Sequence, residues 1–171
     1  MTKIERALLA AAAMAVIGIM PARADDAALA REMNDRAAIE ALMWKYVRAL
    51  DSFDADGYAA AFTADGQFTS GRAAEKGTAE LKKMITGLKD DRAARETKGE
   101  PPTPAMYHVV FNHTISFIDK DHARYDAYWA TMFAGAKQGE SARAAAVGRS
   151  VDMLVRQNGQ WLIQTRDVAP K

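Results

Sequence analysis

From residue 34 onward the hydrophobic positions follow first one period and then another. Ile39, Leu42, Met43, Tyr46, Val47 and Leu50 recur at helical spacing, which predicts an amphipathic helix capped at Asn34 or Asp35 and closing near Asp51. A second short helix is expected over Asp56 to Thr63, burying Tyr58 and Phe62. A turn at Ala64-Asp65-Gly66 then leads into a short strand, Gln67 to Ser70. Thr78 to Leu88 reads as a third helix with Leu81, Met84, Ile85 and Leu88 on one side. Asp90 to Pro104 is polar, ends in Pro101-Pro102-Thr103-Pro104, and reads as a surface loop.

Beyond that loop the period falls to two. Strands are expected over Tyr107 to Ile118, His122 to Phe133, Ala145 to Arg156 and Trp161 to Val168. Asp119-Lys120-Asp121 marks the first turn, Gly135 to Arg143 a flexible link, and Asn158-Gly159 a tight hairpin. Helices followed by a run of antiparallel strands predict an α+β domain.

The chain has 171 residues, 49% of them hydrophobic and 26% charged, as expected of one globular domain. Its 23 basic and 22 acidic side chains nearly balance. Lys3, Arg6 and Arg23 fall among the first 24 residues against Glu5 alone, so the remainder is slightly acidic. Such a body has no electrostatic reason to bind nucleic acid or an anionic membrane.

The first 24 residues read as an export signal. Met1 to Arg6 is a short basic start, Ala7 to Met20 an apolar run, and Pro21-Ala22-Arg23-Ala24 a small-residue cleavage site, with cleavage expected after Ala24. As a helix the apolar run would rise only about 21 Å, short of the roughly 30 Å hydrocarbon core. The expected product is residues 25–171 as a single periplasmic or secreted domain, with no membrane attachment after cleavage. The chain has no cysteine, which excludes disulfides, thiolate metal sites and a cysteine nucleophile.

Three histidines are present. Strict alternation from Tyr107 places His108, Val110, Asn112, Thr114 and Ser116 on one strand face. Tyr107, Val109, Phe111, His113, Ile115 and Phe117 fall on the other. His113 then reads as a packed structural residue, His122 as solvated, and His108 as a pocket-wall candidate or a packed residue. Asp51 closes the first helix, where the helix dipole disfavours a carboxylate. It is either partnered elsewhere or, like Ser52 and Asp54, a cap for the next helix. A calcium loop starting at Ser52 would need Glu at its twelfth position and has Thr63, so no metal is expected. No phosphate loop, G-x-S-x-G elbow or H-E-x-x-H is present. Arg149, Arg156 and Arg166 alternate with apolar residues on the last strands and read as solvated or rim charges.

Several segments, in this order, resemble the SnoaL-like branch of the nuclear transport factor 2-like superfamily. Asp35 to Leu42, continuing through Tyr46 to Asp51, resembles its opening helix, and Ala61-Phe62-Thr63-Ala64-Asp65-Gly66 its "lF-tpDg" turn. Tyr107-His108-Val109-Val110-Phe111-Asn112 resembles its H-x-x-x-N strand. Gly148-Arg149 through Arg156, with Asn158-Gly159-Gln160-Trp161-Leu162-Ile163, resembles its closing hairpin. The resemblance implies a cone-shaped α+β barrel, a curved antiparallel sheet wrapped around N-terminal helices and enclosing an apolar cavity. It also implies a homo-oligomer, dimer or trimer.

Within that superfamily, hexachlorocyclohexane dehydrochlorinase and scytalone dehydratase use an Asp at the end of the first helix and a His on the sheet. The matching positions here are Asp51 and His108. The stretch Ala127-Tyr128-Trp129-Ala130 lacks the second histidine of scytalone dehydratase, and Ser150 stands where the closing hairpin usually has Tyr.

In the expected chemistry Asp51 orients His108, whose other ring nitrogen removes a proton from carbon. Tyr46, Asn112 and Trp129 are expected to touch the substrate, with Val47, Leu50, Phe68 and Val110 as apolar wall. The expected function is a cofactor-independent lyase acting on a small hydrophobic or aromatic molecule. The alternatives are an isomerase using the same base, and a periplasmic binding protein without catalysis.

Overall fold

The computed structural model describes residues 24–170 apart from 72, 99, 102, 136 and 138, so the proposed signal lies outside the described residues. The chain divides into two units at Glu32/Met33. Of the first unit, residues 24–32 are described and are helical. Apart from the start of the first helix, which crosses that boundary, everything below concerns the second.

The first helix, α1, spans Ala24–Asp51, so neither Asn34 nor Asp35 is its cap. Asp35 instead accepts hydrogen bonds from Arg156 Nη2 at 2.5 Å and Trp161 Nε1 at 3.2 Å, both from the far end of the sequence. Ile39, Leu42, Met43, Tyr46, Val47 and Leu50 are all buried, as their spacing predicts. The helix stops in a Schellman motif. Asp54 N–H reaches back to Ala49 O at 2.9 Å and Phe53 N–H to Leu50 O at 3.2 Å. Phe53 occupies the left-handed position that glycine usually takes, with φ 54°.

Asp54 caps α2 (Ala55–Ala60), accepting from Gly57 N–H at 2.9 Å. That helix ends earlier than its composition suggests, because Phe62 already belongs to β1 (Phe62–Thr69). The expected Ala64-Asp65-Gly66 turn persists inside β1 as a break in register between Phe62 and Gln67. β2 (Ala74–Lys76) returns antiparallel to β1. The helix α3 covers Thr78–Thr97 and takes in half of the expected loop. Nothing from Lys89 to Glu96 breaks a helix, and the polar stretch is an exposed helix continued by good helix formers. Leu81 and Ile85 are buried, whereas Leu88 is exposed.

β3 (Met106–Phe117), β4 (His122–Phe133), β5 (Arg143–Gln157) and β6 (Gln160–Asp167) match the four predicted strands to within a few residues. The six strands form one curved, unclosed sheet in the order β2-β1-β6-β5-β4-β3. Its one departure from antiparallel pairing is β1 against β6, which run parallel. Ile115, Ala123, Tyr125, Ala127, Leu154, Trp161 and Ile163 on its inner face share a continuous core with the buried face of α1.

Two bulges break the strict alternation that the sequence suggests. In β3, Asn112 and His113 together face Ala127 alone, and Asn112 has φ 50°. In β6, Gln164 is the extra residue between the Leu154–Ile163 and Met153–Thr165 pairs. Each bulge moves the following residues to the opposite face. The outcome is that Ile115 and Phe117 point inward after His108 and Val110, and Arg166 points inward where Thr165 would be expected.

Candidate functional site

The C-terminal end of α1 and the start of β3 bring Asp51 and His108 together across 57 positions. β3 is the edge strand of the sheet, so every second N–H lies outside the ladder. His108 spends one of these on Asp51: its backbone N–H donates to Oδ1 at 2.9 Å, and its ring Nδ1 lies 2.7 Å from the same oxygen. Two donors thus offset the unfavourable placement of a carboxylate at a helix C-terminus. A carboxylate only accepts, which fixes the neutral ring with its proton on Nδ1 and a free lone pair on Nε2. Among the described residues Nε2 has no hydrogen-bond partner. Each of the two side chains is 20% exposed.

His108 and Val110 line two concavities. One is a cavity of about 170 Å³ bounded by Tyr46, Leu50, Phe68, Trp129, Thr131, Arg166 and Val168. The other is a groove of about 810 Å³ that includes Asp51, Val47, Trp44, Arg48, Arg92 and Tyr125. The small cavity therefore gathers Tyr46, Leu50, Phe68, Val110 and Trp129 around His108, while Val47 faces the groove. Asn112 lines neither; it is exposed, at the β3 bulge. Trp129 is fixed by a hydrogen bond from Nε1 to Val168 O at 3.1 Å and by Gly148 on the neighbouring strand. A Cβ at position 148 would lie 2.6 Å from the indole, so only glycine fits there.

The bulge places His113 where alternation does not. It joins the groove beside His108, stacks on Tyr125 with ring centres 5.2 Å apart, and approaches Glu40 Oε1 at 3.2 Å. His122 stays half exposed beside Asp119.

The sequence reading of Arg166 as solvated is incorrect. It is 2% exposed and lies opposite Asp152 in the β5–β6 register, donating from Nη1 to Asp152 Oδ2. Its guanidinium lies over the Tyr46 ring at 4.6 Å. Burial pushes the Asp152 carboxyl up to about 7 despite the pull of Arg166. Desolvation also works against the Arg166 charge, but Asp152 and the Tyr46 and Tyr58 hydroxyls outweigh it and hold the guanidinium above its ordinary value. The available signal was Asp152 itself, a carboxylate in step with Ser150 and Leu154 on a buried face, which demands a cation. Arg149 remains exposed and Arg156 pairs with Asp35. Among the described residues no cluster of three or more His, Asp or Glu could hold a metal ion.

The profile of the SnoaL-like domain matches residues 31–167. The chain belongs to the SnoaL-like domain family. No curated protein shows significant sequence similarity to it. Solved structures share the fold of this chain at low identity. An NTF2-like protein with a cystatin-like fold from Novosphingobium aromaticivorans is 21% identical, with a TM-score of 0.69, covering 85% of this chain and 88% of that one. ActVI-ORFA from Streptomyces coelicolor is 20% identical (TM-score 0.65, 80% and 96% covered). A candidate scytalone dehydratase from N. aromaticivorans is 20% identical (TM-score 0.61, 81% and 85% covered). At these identities the SnoaL-like likeness establishes the fold; activity has to be argued from the site.

Proposed function

We propose that this SnoaL-like protein is a lyase that eliminates a small leaving group from a small hydrophobic or aromatic substrate, with His108 as general base and Asp51 as its orienting partner. The observation that carries this reading is the pair itself. One ring nitrogen of His108 is committed to Asp51 Oδ1 at 2.7 Å, and the ring lines a largely apolar cavity. A base held in one tautomer against a largely apolar wall is suited to taking a proton from carbon, and a placed histidine contributes about 10²–10⁴-fold. The step transfers a proton and expels a leaving group with its bonding pair. No electron changes hands overall, so the reaction as written calls on no redox cofactor. The cavity, about 170 Å³, is smaller than the ~300–1,000 Å³ typical of pockets for drug-sized ligands, which favours a compact substrate.

Two further features belong to the reading. Export with cleavage after Ala24 rests on the sequence of residues 1–24, and an N-terminus other than Asp25 on the mature protein would refute it. A homo-oligomer is supported by an exposed apolar strip on the sheet, where Val109 and Val147 flank Ala130 and Phe111 stacks on Tyr128 at 6.1 Å.

The test is elimination from small β-hydroxy and β-chloro aryl ketones, followed by the ultraviolet absorbance of the enone product. Turnover by the wild type and its loss in His108→Ala, with circular dichroism unchanged, is the expected result. Equal turnover in both proteins would sink the proposal.

A further inference from the structure

We propose that Thr131 is the hydroxyl-binding residue of the small cavity, so that the substrate is an alcohol whose oxygen sits beside the carbon that His108 deprotonates and leaves as water. The inference rests on the preceding reading in placing substrate in this cavity and in taking His108 as the base.

Three observations converge on it. The first is position. Thr131 lies opposite His108 in the β3–β4 register, as Trp129 lies opposite Val110, and all four line the cavity from the inner face of the sheet. The His108 N–H turns away from β4 to reach Asp51, so His108 and Thr131 form a non-hydrogen-bonded pair. That is the narrower of the two antiparallel pairings, with Cβ atoms about 5 Å apart.

The second is that the other polar side chains of the wall are committed. His108 Nδ1 is held by Asp51, Trp129 Nε1 donates to Val168 O, and Arg166 donates to Asp152. The Tyr46 hydroxyl interacts with Tyr58 and Arg166. Thr131 Oγ1 has no hydrogen-bond partner among the described residues. The third is access. Thr131 is partly exposed and its Oγ1 keeps accessible surface, whereas Ser150 Oγ and Arg166 Nε are sealed off. Two uncommitted groups thus meet across one strand pair, the Nε2 lone pair of His108 and a hydroxyl that can donate or accept.

The chemistry balances without a further reactant. His108 Nε2 takes a proton from carbon as that C–H bond breaks. The bonding pair becomes the second bond of a carbon–carbon double bond. The bond from the neighbouring carbon to oxygen breaks, and its pair leaves with the oxygen. The departing hydroxide takes the proton from His108 Nε2 and becomes water. Thr131 donates a hydrogen bond to that oxygen and keeps its own proton. It contributes because negative charge on the oxygen is greater in the transition state than in the alcohol. A chloride leaving group, a weaker acceptor, draws little on the same donor.

The test reads binding and turnover separately. Binding uses 2-phenylethanol and ethylbenzene, compact aromatics that differ by a hydroxyl, followed by the NMR shifts of the His108 ring. Thr131→Val removes the hydroxyl at nearly constant volume, and should lower the affinity for the alcohol relative to the hydrocarbon roughly fivefold or more. Thr131→Ser should restore the preference, and Thr131→Ala should lose it if the valine variant does not fold. In turnover, Thr131→Val should slow elimination from a β-hydroxy aryl ketone roughly tenfold or more, and from its β-chloro analogue less than about threefold. The inference is overturned if the wild type binds neither probe or if Thr131→Val keeps the preference for the alcohol. It is equally overturned if the valine variant slows both ketones alike. If Thr131→Val loses the preference while the wild type eliminates from neither ketone, the hydroxyl site stands and the lyase reading falls. If elimination persists with the preference unchanged, the lyase reading stands and Thr131 falls.

Discussion

Asp51 Oδ1 receives both the backbone N–H and the ring Nδ1 of His108, at 2.9 and 2.7 Å. One oxygen thus ties down the edge strand and orients the ring. Asp51→Asn retains an acceptor for the backbone amide but loses the negative charge facing the ring. Elimination should fall about 10²-fold or more while the fold persists. In ¹⁵N NMR the wild-type neutral ring should carry its proton on Nδ1. A wild-type ring protonated on Nε2 would remove the free base that the proposal requires.

Gly148 and Trp129 share a cross-strand position with no room for a methyl group. Gly148→Ala should therefore displace the indole, break its 3.1 Å bond to Val168 O and destabilise the protein by about 1–3 kcal/mol. Thermal denaturation and tryptophan fluorescence would register both effects. An unchanged emission spectrum would mean that the indole does not depend on that glycine.

The β3 bulge depends on Asn112 at φ 50°. Asn112→Gly should fall within about 0.5 kcal/mol of wild type, whereas Asn112→Val, which resists this backbone conformation, should cost about 1–2 kcal/mol. The valine variant should also loosen the stacking of His113 on Tyr125, visible as a change in the His113 ring chemical shifts. Equal stability of the two variants would contradict the bulge geometry.

Asp152 gives a pH dependence. Its carboxyl titrates at about 7 when folded and near its ordinary 3.8 when unfolded, because burial disfavours the charge. Between those values the folded state holds the extra proton, so Asp152's contribution to stability is complete below about 4 and is lost as pH rises toward 7. Asp152→Asn cannot titrate. The wild-type melting temperature should therefore decline relative to this variant across that interval, and parallel curves would contradict the shift.

Much of the architecture was legible locally. The α1 stripe from Ile39 to Leu50, the Asp54 cap and the Asn158-Gly159 hairpin are each specified by neighbours a few residues apart, and all are present. Asp51 carried a weak signal, a carboxylate where the helix dipole opposes it, and the resemblance to known sequences supplied its partner. The extension of α3 past Leu88 was misread because an exposed polar helix and a polar loop differ little in composition. Period-two reasoning also placed His113 on the strand face opposite His108 and Arg166 in solvent; His113 in fact lines the groove beside His108, and Arg166 is buried.

The reason is common to both residues. A single extra residue, Asn112–His113 against Ala127 or Gln164 in β6, inverts every side chain that follows it in the strand. Whether a bulge forms depends on the register that the partner strand and the packed core impose. Sequence alone determined the elements, their order and the helix face that is buried. Tertiary structure decided the strand register, and through it which charged groups stand in the cavity wall.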